Sequence, residues 1–204
     1  LDLAVALRSV VDRHVGVLFN NGFGGFSPSF AKYMVGLGPE EVDVGDFDGD
    51  GSLDIVAACF QGNVVSILLN LGFGSFASTV DYPTGTSPTG VRVGDMDGDG
   101  DPDLVVTNKL SSFLSVFPND GTGSFPFRVD RPSPLQADCV ALTDIDTDGD
   151  LDVAIGLSFS TTVKFYSNNG AGALAAAGNV TSGYKPFALT LGDFDNDGAV
   201  DLAT

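Results

Sequence analysis

The sequence is poor in the residues on which enzymes and nucleic-acid-binding proteins depend. Its 204 residues include one histidine, His14, and nine lysines and arginines together. Nine basic residues spread along the chain make no basic patch, which argues against a nucleic-acid partner. One histidine and no cysteine pair leave soft metals without ligands. Because no nucleophile motif accompanies His14 and no acid–base pair is evident, we expect a protein that is not an enzyme.

Cysteines and long apolar runs are also scarce. The two cysteines, Cys59 and Cys139, lie far apart, and we predict that both are free and buried, with a disulfide as the alternative. No apolar run reaches the roughly 18 to 20 residues of a membrane span. No secretory signal is visible. Residues 1–6 match residues 53–58, so we expect the sequence to begin inside a repeat, with any signal upstream.

Aspartate is what the chain has in excess, with 27 acidic residues and a formal net charge of −18. The stretch 46–54 reads D-x-D-x-D-G-x-x-D and returns at 95–103, 144–152 and 193–201, so the first aspartates lie 49 residues apart. Positions 1, 3, 5 and 9 of these loops supply 16 of the 27 acidic residues, so the acidity is local. A fixed period of this size is typical of a repeat architecture.

The aspartate loops predict calcium sites. Ca²⁺ takes about six to eight oxygen ligands and favours carboxylates and carbonyls, whereas Mg²⁺ rarely uses an all-protein cage. Position 7 varies, as expected where the backbone carbonyl is the ligand. An EF-hand is excluded because position 12 falls in an apolar strand-like segment. The predicted ligands are Asp46, Asp48, Asp50, Ser52 and Asp54; Asp95, Asp97, Asp99, Asp101 and Asp103; Asp144, Asp146, Asp148, Asp150 and Asp152; and Asp193, Asp195, Asp197, Ala199 and Asp201.

The four loops predict up to four bound Ca²⁺ ions. We expect them to be architectural, because they cancel repulsion among four carboxylates and tie two strands together, with a ligand-bridging calcium as the alternative. High calcium demand favours an extracellular or cell-surface setting, where calcium is millimolar.

Short β-branched segments predict four antiparallel strands per repeat and no helix. A second pattern, N-x-G-x-G-x-F, supplies positive φ in a tight turn and returns an aromatic side chain to the core. It occurs at 20–26, 70–76 and 119–125, and with a final leucine at 168–174. Stacked four-stranded units of about 49 residues are typical of propeller blades.

The two patterns together resemble the FG-GAP and VCBS repeat family, the β-propeller units of integrin α-chain heads and many bacterial surface proteins. The resemblance implies an all-β propeller in which each calcium loop joins the first and second strands of a blade. It implies one repeat array over 1–204. Its parts are a partial blade at 1–40 that lacks its first strand, blades at 41–89, 90–138 and 139–187, and a first strand with calcium loop at 188–204 that starts a further blade or closes the ring.

The resulting functional hypothesis is a non-enzymatic binding or adhesion module of a cell-surface or secreted protein, with a protein or glycan ligand. The alternative is a lectin with sugar sites between blades, and a less favoured one is a propeller-fold polysaccharide lyase or hydrolase. An open array exposes apolar faces and strand edges, so we expect self-association. The expected form is a dimer in which two chains close a single ring, and the alternative is closure within one chain by residues 188–192.

Overall fold

The computed structural model describes residues 2–8 and 11–204, which form antiparallel β-sheets joined by loops. The first sheet contains β1 (Leu3–Ala6), β2 (His14–Leu18) and β3 (Ala31–Met34). The second contains β4 (Pro39–Gly45), β5 (Asp54–Cys59), β6 (Val64–Leu68) and β7 (Val80–Pro83). The third contains β8 (Pro88–Gly94), β9 (Asp103–Asn108), β10 (Phe113–Phe117) and β11 (Val129–Pro132). The fourth contains β12 (Ala137–Thr143), β13 (Asp152–Leu157), β14 (Thr162–Ser167) and β15 (Ala175–Thr181), and the fifth contains β16 (Thr190–Gly192) and β17 (Asp201–Ala203).

Strands follow one another in chain order within every sheet, and each pair is antiparallel. The predicted all-β architecture with four-stranded units is therefore confirmed for the three central sheets. None of the described residues is helical. Within this described part, the chain has no helical segment of the length and hydrophobicity that a bilayer crossing requires.

The first strand of each complete sheet contains a bulge. The register between β4 and β5 shifts between Pro39 and Glu41, and the same shift occurs between Pro88 and Gly90 and between Ala137 and Cys139. Each of these first strands therefore begins two residues before the unit boundary at 41, 90 or 139 that the sequence suggested. A bulge residue interrupts the alternation of inward and outward side chains, so the early part of the strand does not follow the pattern by which strands are recognised.

Hydrophobic core lies between successive sheets, so the second strand of each complete sheet is buried on both faces. All six residues of β5 are buried. Val56 and Ala58 pack with residues of the third sheet, whereas Ile55 and Ala57 pack with the first. Strands β9 and β13 are likewise buried throughout. Burial on both faces explains why these segments are continuously apolar and not alternating.

The glycine-rich turns have the predicted backbone. Both glycines of each N-x-G-x-G turn have positive φ, for example 76° at Gly121 and 75° at Gly123. The aromatic residue that ends the turn is not buried to the same extent in every copy. Phe125 is 2% exposed. Its ring meets Tyr82 of the preceding sheet edge-on at 5.7 Å between centroids.

The first copy departs from the predicted burial of this aromatic residue. Phe76 packs edge-on against Tyr33 of the preceding sheet, with 4.7 Å between ring centroids. Phe26, in contrast, is 47% exposed, so the prediction of a core aromatic residue is wrong at this position. Phe76 and Phe125 each pack on a tyrosine of the preceding sheet, and among the described residues Phe26 has no such ring contact.

Both cysteines are free and buried, as predicted. Burial raises the pKa of each thiol to about 11, so neither is a thiolate at neutral pH.

The two end sheets remain separate. Strand β16 pairs with β17 and contacts β12, whereas β1 pairs with β2 and contacts β4. Among the described residues no strand pairing joins the first sheet to the fifth, so closure of the array within one chain is not formed in this structure.

Candidate metal centres

The four aspartate loops lie at the same place in the repeat. The first three close the hairpins between the first and second strands of sheets two to four, and the pairs Gly45–Asp54, Gly94–Asp103 and Thr143–Asp152 end those ladders. The fourth joins β16 to β17. The glycine at position 6 has positive φ in every copy, 87° at Gly51 and 99° at Gly149. This backbone conformation is accessible to glycine without strain, and it lets the loop fold back on itself.

Three carboxylates converge in each loop, with ligand atoms within 4.8 Å of one another. In loops one, two and four the three come from positions 1, 3 and 5, and in loop three they come from positions 1, 3 and 9. The groups are Asp46, Asp48 and Asp50; Asp95, Asp97 and Asp99; Asp144, Asp146 and Asp152; and Asp193, Asp195 and Asp197. These groups could hold a metal ion, and oxygen-only donors suit a hard cation.

Backbone amides orient the carboxylates at positions 1 and 5, which belong to the group of three in the first, second and fourth loops. The amide of Gly51 donates to Asp46 Oδ2 at 2.9 Å, and the equivalent glycines of the other loops do the same at 3.0 Å. The position 7 amide donates to the position 5 carboxylate in every copy, at 2.7 Å from Ser52 to Asp50 and at 2.8 to 3.0 Å elsewhere. These bonds fix the orientation of the carboxylates at positions 1 and 5 in all four loops.

Two of the carboxylate oxygens are buried and have no hydrogen-bond partner. They are Asp46 Oδ1 in the first loop and Asp97 Oδ1 in the second. A buried carboxylate oxygen without a donor is costly, because the charge loses its hydration and gains nothing in return. A cation among the three carboxylates removes that cost. The unpartnered oxygens show that the residues present fit a divalent cation.

The pKa shifts of two loop carboxylates also favour a bound cation. Burial raises the pKa of Asp97, and repulsion from Asp99 and Asp95 adds to the shift. Partial loss of hydration raises the pKa of Asp146, and repulsion from the neighbouring Asp148 contributes. A raised pKa means that the negative charge of Asp97 and Asp146 is disfavoured unless a cation or proton neutralises it.

The ninth aspartate is a structural brace. Asp54 is fully buried. Its Oδ2 accepts the amide of Phe47 at 2.7 Å, and its Oδ1 accepts the amide of Asn70 at 2.7 Å. Asp103 and Asp152 make the equivalent pairs of bonds at 2.8 to 2.9 Å. Each of these aspartates thus ties its loop to the turn that follows β6, β10 or β14. A carboxylate oxygen retains a second lone pair, so this role leaves room for a cation.

The structure therefore brings together most of the predicted ligand side chains, but not all. Asp54, Asp103 and Asp201 lie outside the three-carboxylate groups of their loops, as does Asp148. Burial raises the pKa of Asp103 to about 6. Asp101 and Asp150 at position 7 lie against the next glycine-rich turn, where a Cβ on Gly121 or Gly170 would come within 2.6 or 2.5 Å of their carboxylates.

The sequence analysis missed the asparagine that opens each glycine-rich turn. Asn119 Nδ2 donates to the carbonyl of Phe47 at 2.9 Å, in the aspartate loop of the preceding repeat, and Asn168 Nδ2 donates to Met96 O at 2.8 Å. Both asparagines are buried. The available signal is that asparagine occupies the first position of all four turns while the next position changes, which a turn alone does not demand.

Comparison with protein families finds a match to the FG-GAP-like repeat at residues 46–106 and 144–204. No curated protein sequence matches the chain. Solved structures with a similar backbone include BBS1N in complex with ARL6DN and soaked with mercury, which is 16% identical with a TM-score of 0.55 over 76% of this chain and 48% of that chain. The same complex soaked with lead is 16% identical with a TM-score of 0.53, over 93% of this chain and 54% of that one.

A rhamnogalacturonan lyase PL11 of Bacillus licheniformis is also 16% identical, with a TM-score of 0.49 over 93% of this chain and 47% of that chain. The chain spans about half the length of these three structures. At 16% identity, the similarity to the two BBS1N complexes concerns the fold alone.

Proposed function

The chain belongs to the FG-GAP-like repeat family, and from this we propose that it is a calcium-binding β-propeller module that binds a protein or glycan at a cell surface. The sheet arrangement supports the propeller. The first strands β4, β8, β12 and β16 contact one another in succession, as strands lining a common axis do. Asp43 Oδ2 of β4 accepts the amide of Val93 in β8 at 3.0 Å, so side chains connect neighbouring first strands.

One observation carries the calcium proposal. Asp46 Oδ1 and Asp97 Oδ1 are buried and unpartnered within groups of three carboxylates that recur in every loop. When bound, the cation supplies positive charge that neutralises the three carboxylates and holds the loop closed. The residues proposed to hold it are the twelve carboxylates of the four groups above, and the further candidates are Asp54, Asp103, Asp148 and Asp201. The proposed role is architectural, since each loop closes a hairpin between buried strands.

The test is a calcium titration by calorimetry on three forms of the protein. We expect the unmodified chain to bind up to four equivalents, and Asp97→Asn to bind one fewer because the second loop loses one of its three converging carboxylates. Asp130→Asn is the matched control, because Asp130 lies on β11 and accepts from Ser115 Oγ, away from the loops. Absence of calcium binding, or equal stoichiometry in Asp97→Asn and the unmodified chain, would overturn the proposal.

The proposed role is binding and not catalysis, in an extracellular or cell-surface setting where millimolar calcium fills the loops. His14 Nδ1 lies 2.8 Å from Asp12 Oδ1 at the start of β2, and Asp12 occupies one of the ring nitrogens. Turnover of an acidic polysaccharide by the purified chain would contradict a purely binding role. A calcium dissociation constant far above extracellular calcium concentrations would argue against an extracellular setting, because the loops would then stay empty.

A lectin is the second candidate, and one groove favours it. A cavity of about 440 Å³ lies between the first and second sheets, lined in part by Arg13, Tyr33 and Asp81. The interface between the second and third sheets differs, because there the guanidinium of Arg128 donates to the carbonyls of Pro83 and Thr84. An aromatic ring beside a guanidinium and a carboxylate suits a sugar, which offers an apolar face and hydroxyl groups. Binding on a glycan array that Asp81→Ala abolishes would favour this candidate over a protein ligand.

A further inference from the structure

A line of hydrogen bonds connects the aspartate loops of successive repeats. In the second loop, Asp103 Oδ2 accepts the amide of Met96 at 2.9 Å and Oδ1 accepts the amide of Asn119 at 2.8 Å. The side chain of Asn119 then reaches Phe47 O in the first loop at 2.9 Å. Phe47 in turn donates its amide to Asp54 of its own loop. The first and second loops are therefore joined through one asparagine.

The same link joins the second and third loops. Asp152 Oδ1 accepts the amide of Asn168 at 2.8 Å, and Asn168 Nδ2 donates to Met96 O at 2.8 Å. The amide of Gly172 donates to the same carbonyl at 2.9 Å. The carbonyl of Met96 thus accepts two hydrogen bonds from the next repeat, one for each lone pair. Three loops form one continuous line.

The contacted residue lies among the candidate metal ligands. Phe47 stands between Asp46 and Asp48, and Met96 stands between Asp95 and Asp97. A bond that fixes the carbonyl at position 2 restrains the backbone on which positions 1 and 3 are carried. Each asparagine uses both amide hydrogens here, since Asn119 Nδ2 also donates to Pro102 O at 3.2 Å and Asn168 Nδ2 to Leu151 O at 3.1 Å.

We propose that Asn119 and Asn168 are positioning residues that couple neighbouring metal loops, so that a cation in one loop raises the affinity of the next. The inference rests on the proposed calcium function. A cation that orders one loop fixes its ninth aspartate, the asparagine bound to that aspartate, and hence the position 2 carbonyl of the neighbour. The neighbouring loop then loses less conformational freedom when its own cation binds, which produces positive coupling.

The equivalent asparagine of the second sheet provides a matched control. Asn70 makes the same bonds within its repeat, from its amide to Asp54 Oδ1 at 2.7 Å and from Nδ2 to Leu53 O at 3.0 Å. In the part of the chain that the structure describes, its side chain has no bond to an aspartate loop of another repeat. Substitution of Asn70 therefore removes the local role of the residue and leaves the line between loops intact.

The experiment follows each loop separately by amide NMR during titration with calcium chloride. The amide of Gly51 reports on the first loop and that of Gly100 on the second, because each donates to the first aspartate of its loop. Asp97→Asn weakens the second loop. We expect this substitution to lower the calcium affinity of the first loop by about fivefold or more, within the usual range for coupled sites. In an Asn119→Ala background the same substitution leaves the first loop unchanged, whereas in an Asn70→Ala background the effect persists.

The outcomes separate this inference from the proposed function. If Gly51 and Gly100 do not respond to calcium, the calcium proposal itself fails. If both respond but Asp97→Asn leaves the first loop unchanged, calcium binding stands and the coupling is overturned. This comparison uses the natural Asn119, so it decides the question even if Asn119→Ala does not fold.

Discussion

At the scale of single residues, the ninth aspartate differs from the other acidic residues of its loop. Asp103 is buried, and its two oxygens accept two backbone amides, whereas Asp99 is exposed and accepts the amide of Asp101. The two bonds of Asp103 are needed with or without a cation. The carboxylate of Asp99, as a proposed ligand, contributes to stability when a cation binds. The two residues belong to one loop, which makes them a matched pair for mutation.

We predict that Asp103→Ala destabilises the protein even in chelator. Two buried amides lose their acceptor, and each unpaired buried group costs about 1 to 3 kcal/mol, so the free energy of unfolding should fall by roughly 2 to 6 kcal/mol. Asp99→Ala should lower stability in calcium and leave it nearly unchanged in chelator. Urea unfolding in both conditions measures the difference. Equal losses for the two variants in chelator would contradict the assignment of Asp103 as a brace.

The pKa of Asp103 gives a pH dependence whose sign depends on calcium. Burial raises the pKa of the folded-state carboxyl to about 6, above the unfolded value of about 3.9. The folded protein therefore holds the proton more tightly. This group contributes stability that is complete below about pH 4 and lost as the pH rises through 6. In chelator, the contribution of Asp103 should raise the melting temperature on acidification from pH 7 to pH 4.

In calcium the trend should reverse, because the cation binds ionised carboxylates and protons compete with it. Differential scanning fluorimetry across this pH range, with calcium and with chelator, measures both trends. Asp103→Asn is the control, since its side chain does not titrate. The difference between the two proteins in chelator isolates the contribution of Asp103, and parallel pH profiles would rule that contribution out.

At the scale of the structural element, the glycine-rich turns follow a common backbone but have different surroundings. Gly121 and Gly22 have similar φ values, 76° and 82°. A Cβ on Gly121 would lie 2.6 Å from Asp101 Oδ2, whereas a Cβ on Gly22 would have no atom within 4 Å. The two positions therefore separate backbone strain from collision with the aspartate loop.

We predict that Gly22→Ala costs about 1 kcal/mol, the usual strain of a left-handed non-glycine residue. Gly121→Ala should cost clearly more, and it should also weaken calcium binding in the second loop because Asp101 must move. Chemical unfolding and calcium titration of both variants test this. Similar losses of stability together with unchanged calcium affinity would show that the turn and the loop are independent.

The elements that the sequence predicted are those that repeat in register. Four copies of the aspartate pattern located the loops between first and second strands, and four copies of the glycine pattern predicted the positive φ of Gly121 and Gly123. The bulge near Thr89 was not predictable, because a bulge breaks the alternation that identifies a strand. The contact between Asn119 and Phe47 spans 72 residues, and only the packing of one sheet on the next brings the two together.

At the scale of the whole molecule, the array is open in this structure. The first sheet has three strands and the fifth has two, and they do not pair with each other among the described residues. Large apolar side chains are exposed towards these ends, including Met34, Phe187 and Phe194. Exposed apolar surface and unpaired strand edges favour association between chains.

We predict that the protein self-associates in calcium and forms a dimer in which two chains complete one ring. Light scattering in millimolar calcium should give twice the monomer mass of 21.0 kDa. In chelator the dimer should loosen or aggregate, because repulsion among the loop carboxylates opens the hairpins that close each blade. A monomer of unchanged compactness in both conditions would contradict both the shared ring and the architectural role of calcium.

The bond from Asn119 to Phe47 also sets the order in which the loops are completed during synthesis. In the first and second aspartate loops, the carbonyl at position 2 is bound by an asparagine that lies 72 positions later in the chain. During synthesis on the ribosome, a loop therefore waits for most of the following repeat to emerge before its backbone is fixed. At about 5 to 20 residues per second this delay lasts roughly 4 to 14 seconds. Each of these two loops is thus completed by the repeat that follows it, and the newest loop on the growing chain is the one least ready to hold an ion.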